Sequence, residues 1–159
     1  MLNLIFSFKF IHVLAAAVML GAWSCLAIFM WLGHRSANPS VVALTSRFVV
    51  RVELSVVAAA VVLLPLSGIP LAFAIGLSPF GEFWLIASML LYAIIVACWL
   101  IALRSEIHIR DLTREAALSK VPLDDAYRRL FRRWSLLAVP VLAGMIAVFA
   151  LMVWQPQFD

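Results

Sequence analysis

Hydrophobic and polar positions alternate along this chain in long blocks, four apolar stretches separated by charged ones. The first block, 10–32, is 23 residues without a formal charge, opened by Lys9 and carrying His12 about one turn inside. At about 1.5 Å per residue it makes about 35 Å of helix, enough to cross a hydrocarbon core of about 30 Å. A second uncharged block, 54–77, follows Arg51 and Glu53, and Pro65, Gly68 and Pro70 fall in its second half. Each proline removes a backbone donor and predicts a kink, tolerated where a neighbouring helix or a cavity satisfies the freed carbonyl. The third block, 83–103, has Trp84 near one end and Trp99 near the other, where aromatic belts sit at membrane interfaces. The fourth is 134–154. These blocks predict an all-α fold, one integral membrane domain over 1–159 built as a four-helix transmembrane bundle.

The polar stretches set the predicted topology. Residues 33–39 close the first helix with glycine and proline, and a short basic loop with Arg35, Arg47 and Arg51 follows. A tight turn at 78–82 carries no lysine or arginine, whereas 104–133 holds eight basic and five acidic residues. The tail after Trp154 has no basic residue. Under the positive-inside rule both basic loops face the cytoplasm, which puts both termini on the periplasmic side of a bacterial inner membrane, Lys9 being the exception at the outer mouth of helix 1. Within 104–133, the part from 105 to 118 reads as a helical extension of span three. Further on, Leu123, Ala126, Tyr127, Leu130, Phe131 and Trp134 recur at helical spacing, with Arg128, Arg129, Arg132 and Arg133 on the other face. Asp124 and Asp125 suit the first turn of that amphipathic helix, which either lies on the membrane surface against anionic lipid or runs straight into span four.

Composition sharpens the class. With 66% hydrophobic and 13% charged residues, and a mean hydropathy of +1.11, the chain is outside the range of soluble globular proteins. The formal charge of +4 sits beside the spans, where it acts on topology and lipid, so nucleic acid is not an expected partner. Cys25 and Cys98 fall inside spans and form no disulfide framework, although they lie at similar depth. The start resembles a signal peptide ending near Cys25, but the apolar run continues beyond it and helix 1 is expected in the mature protein.

Several residues offer chemistry. A histidine inside an apolar span is a functional-site candidate, and Lys9 shares the helix face of His12. An imidazole beside an ammonium suits a haem iron whose propionates need a cation, a quinone head group, or a copper ion. Met89 and Met152 lie at roughly the same depth and are candidates for a sixth haem ligand or a copper thioether. A hydrogen-bonded packing role for His12 stands beside these. At the other end, His34, Glu53, Glu106, His108 and Asp111 lie at similar height. Their spacing matches no metal motif, and a solvated interfacial cluster is expected, with Glu53 paired to Arg51 or Arg104.

Lys9-x-x-His12 with Gly21, Trp84-Leu85, Leu91-Tyr92, Cys98-Trp99, Arg133-Trp134 and the ending Leu151-Met-Val-Trp-Gln-Pro156 resemble the domain of unknown function 2269 family of predicted bacterial integral membrane proteins over nearly the whole length. Gln155 stands where that family often has a lysine. More distantly, Lys9, His12 and His34 are similar to the first helix of HemJ-type membrane protoporphyrinogen oxidases, and copper-resistance membrane proteins share a histidine-led helix. The HemJ resemblance implies haem or porphyrin chemistry at His12. The leading functional expectation is therefore a haem-associated, redox-linked membrane protein, with haem b held by His12. A non-catalytic accessory or assembly subunit of a larger membrane complex or homo-oligomer, and a copper or small-solute transport element, are the alternatives.

Overall fold

A computed structural model of the chain describes residues 2–78 and 81–156. It is all-helical: α1 (Leu2–Arg35), α2 (Pro39–Val52), a π-helical turn (Glu53–Val57), α3 (Ala58–Ala74), α4 (Phe83–Ser119) and α5 (Asp125–Trp154). Because α2, the π turn and α3 form one rod, four rods result, each long and apolar enough to cross a membrane. Pro79 and Phe80 of the expected 78–82 turn and residues 157–159 of the tail lie outside the described residues.

The helices run further than the apolar blocks. The basic loop expected between spans one and two is mostly helix: only 36–38 separate α1 from α2, Pro39 sits in the first turn, and the Asn38 side chain caps it by accepting from the Ser40 N–H at 2.9 Å. The 104–133 segment is helical at both ends as expected, leaving 120–124 between them: α4 continues through Ser119, one residue past the expected 105–118 extension, before Lys120 ends it in the left-handed region at φ 54°. Asp124 then caps α5 by accepting from the Tyr127 N–H at 2.9 Å, and α5 runs unbroken from Asp125 into the apolar block. Tyr127, Phe131 and Trp134 are buried while Arg128, Arg129, Arg132 and Arg133 are exposed.

Packing follows a seven-residue repeat. On α4 the buried or half-buried stripe is Ser88, Tyr92, Ile95, Trp99, Ala102, Glu106, Ile109, Thr113 and Ala116, alternating steps of four and three. The stripe on α5, from Tyr127 through Phe131, Trp134, Ala138, Val141 and Met145 to Val148, keeps the same steps. Such a repeat is the signature of helices meeting at shallow left-handed angles. α4 lies between α5 and α2, and α1 packs on α2 and α3. Where α4 and α5 approach, a Cβ on Gly144 would stand 2.8 Å from Ile95 Cγ1, so only glycine admits that contact.

Pro65 and Pro70 both lie inside continuous helix in α3. Pro65 has no N–H for the Val61 carbonyl one turn back, and the Tyr92 hydroxyl of α4 donates to that carbonyl at 2.5 Å. The neighbouring helix thus meets the need that the proline created.

Candidate functional site

His12 sits at the seam between α1 and α3. Its Nδ1 is 3.0 Å from the Leu64 carbonyl oxygen and 3.2 Å from Ser67 Oγ, while Ser67 Oγ donates to the Leu63 carbonyl at 2.6 Å. A carbonyl only accepts, so this contact requires the proton on Nδ1 and leaves the Nε2 lone pair free. The imidazole reaches α3 because residue 68 is glycine: a Cβ there would stand 2.7 Å from His12 Cε1. Lys9, one turn earlier, is exposed. Met152 packs in a different place, against Ala72, Trp84, Leu85 and Leu77, and Met89 is half-buried on α4. The hydrogen bonds of His12 are with α3.

The second polar locus is one that spacing alone assigned to solvent. Glu53 and Glu106 are 1% and 2% exposed. Trp99 Nε1 donates to Glu53 Oε2 at 2.6 Å, and Trp134 Nε1 donates to Glu106 Oε1 at 2.6 Å. Glu106 Oε2 is buried with no hydrogen-bond partner. Glu53 heads the π turn, a helical irregularity concentrated at functional sites. Pairing with Arg51 or Arg104 does not occur: both arginines are exposed, and the ion pair found among the described residues is Arg110 with Asp111. The expected solvated cluster therefore divides, His108 and Asp111 remaining in solvent while the two glutamates turn inward. The signal was present in the seven-residue stripe, which includes Glu106 and, on the second rod, runs Val42, Ser46, Val49, Glu53, Val57 and Ala60. Trp99 is likewise core and not interfacial belt; Trp84 is buried too, among Ala72 and Leu85.

His34 closes the arginine-rich end of the bundle. Its Nδ1 is 2.8 Å from the Tyr127 hydroxyl, and its ring stacks on Phe131 with centroids 3.7 Å apart. An open cleft of about 720 Å³ lies alongside, lined by His34, Tyr127, Phe131, Ser135, Arg128 and Arg132 among others. Cys25 and Cys98 are both free thiols. Among the described residues no three His, Cys, Asp or Glu side chains converge as metal ligands.

A family model described as a predicted integral membrane protein matches residues 6–156. No curated protein and no solved structure matches the chain.

Proposed function

The chain belongs to the domain of unknown function 2269 family of integral membrane proteins, and from that premise we propose that it is a haem-associated, redox-linked protein of the bacterial inner membrane with His12 as the cofactor ligand. One observation carries this reading: the Leu64 carbonyl holds the His12 proton on Nδ1 and leaves Nε2 as the donor atom. Histidines that ligate metals are commonly fixed in this way, the backbone bond setting both tautomer and ring orientation. Lys9, on the same helix face, is the cation for an anionic cofactor edge. Met89 and Met152 are the thioethers available for a further ligand, and would reach it by movement of α4 and α5 or from a second copy. Bound haem would supply one-electron chemistry; the chain's own part is to orient the imidazole and to exclude water from that face.

The arrangement in the membrane follows the charges. Arg35, Arg47, Arg51 and the eight basic residues of 104–133 all belong to one end of the bundle, which we place in the cytoplasm with both termini periplasmic. Arg128, Arg129, Arg132 and Arg133 then lie at the inner surface, where anionic lipid attracts them.

A second reading rests on the fit of His12 against Gly68, which is also what a packing histidine needs. In that case the protein is an accessory or assembly subunit of a larger membrane complex, or a homo-oligomer. The deciding measurement is a visible spectrum, oxidised and dithionite-reduced, of detergent-purified protein and of His12→Ala made with adequate haem supply. Sharp reduced bands, stoichiometric with the chain and lost in the variant, are expected. A featureless spectrum with a fixed partner copurifying equally with both proteins would replace the haem reading with the accessory one. Stoichiometric copper lost in the variant would assign His12 to copper or solute transport instead.

A further inference from the structure

We infer that Glu53 and Glu106 form a proton-binding site inside the bundle, one proton being held on Glu106 Oε2. The inference is independent of any cofactor at His12, whose hydrogen bonds go to Leu64 and Ser67 and to neither glutamate.

Four observations lead to it. Both side chains are almost wholly buried, and both already accept an indole N–H on one oxygen, from Trp99 and Trp134. Glu106 Oε2 remains, buried and without a partner. Two carboxyl groups buried in one core need a counter-charge if both are ionised, because an ionised carboxyl removed from water without a partner is strongly disfavoured. Finally, the π turn at Glu53 continues the buried stripe of the second rod, so that Glu53 faces inward where the rod changes its winding.

Among the described residues no cation supplies the counter-charge. On α2, Arg47 and Arg51 are exposed; on α4, Arg104 and His108 are exposed; on α5, Arg132 and Arg133 are exposed. α1 carries Lys9 and His34 near its ends and His12 between them, His12 being bonded to Leu64 and Ser67 and His34 engaged with Tyr127 and Phe131; α3 has no charged residue. A divalent ion is a poor occupant, since hard cations take about six oxygen ligands and this locus offers two carboxylates each already committed to an indole. A proton needs only one lone pair. Bound on Oε2, it converts an orphan acceptor into a donor and halves the buried charge. Like charges that share a site resolve in the same manner, one carboxyl keeping its proton.

Because Trp99 and Glu106 are seven residues apart on one face of α4, the two indole-carboxyl pairs are joined through a single helix. A change in the proton at Glu106 therefore acts on the α4–α5 contact through Trp134 and on the second rod through Glu53.

The test is infrared spectroscopy of the full chain in lipid vesicles, following the C=O stretch of protonated carboxyl groups from acid to alkaline pH. At neutral pH the wild type is expected to show such a band, to shift it on labelling with ¹³C-glutamate, and to lose it completely in Glu106→Gln. The ¹³C shift is read on unsubstituted protein, so it decides the matter even where the variant fails to fold. A wild type without the band at neutral pH would overturn the proposal, as would a band that ¹³C-glutamate leaves in place or that survives in folded Glu106→Gln. A band abolished by sodium, potassium or magnesium chloride at fixed pH would also overturn it and make the locus a metal-cation site.

Discussion

Trp99 does two things at once: it fills core volume between the second rod and α4, and it supplies the hydrogen bond that Glu53 accepts. Phenylalanine would keep most of the first and none of the second. An unsatisfied buried acceptor costs about 1–3 kcal/mol, more when charged, so Trp99→Phe is expected to destabilise the fold by about 2 kcal/mol or more. The check is thermal unfolding in detergent, repeated in a Glu53→Leu background. There the same substitution orphans no acceptor and its cost is expected to shrink to that of lost packing. Equal cost in both backgrounds would mean that the indole acts by volume alone. His12 poses the complementary case, a side chain whose hydrogen bond fixes which nitrogen is free. The ligand role proposed for it turns on chemistry at Nε2, which stability measurements do not report and the absorption spectrum does.

At the scale of elements, α3 tolerates two prolines because of what stands beside it. The Tyr92 hydroxyl occupies the Val61 carbonyl that Pro65 leaves free. Interhelical hydrogen bonds in membranes average about 0.6 kcal/mol, so Tyr92→Phe is expected to cost about that much in the native background. In Pro65→Ala the helix supplies its own N–H to Val61, and Tyr92→Phe should then cost nothing measurable. Additive effects in this double-mutant cycle would show that the tyrosine does not compensate for the proline. The ends of elements obey local rules more simply. Asn38 and Asp124 cap α2 and α5 with their own side chains, and Lys120 closes α4 in the left-handed region at φ 54°.

The whole molecule is four antiparallel rods whose basic residues, Lys9 excepted, crowd one end. If that end is cytoplasmic, an enzyme reporter active only outside the inner membrane and fused after Asp159 will be active, and one active only in the cytoplasm will be silent. The reverse pattern would invert the bundle and place the His34 cleft outside. Only the direction of the rods in the bilayer is at stake in that experiment. The packing of α4 between α5 and the second rod is the same either way.

Membrane residence and four rods were legible in the sequence, because hydropathy and run length add along the chain and need no partner. Asp124 as a helix start was legible for the same reason, a cap being made within three residues. The helical continuation of span three through 105–118 was legible too. The extent of the second rod was not, since a helix continues wherever its backbone bonds and side-chain packing persist: Arg47 and Arg51 did not keep α2 from being helix. Glu106 could have been recognised as interior from its place in the seven-residue stripe of α4, yet its charge argued for solvent. What overrode the charge was Trp134, 28 positions away; for Glu53 it was Trp99, 46 away, and for His12 it was Leu64, 52 away. Such partners are chosen by how each rod is rotated about its axis against its neighbours. That rotation is settled jointly by all the packed side chains, and only the tertiary structure contains it.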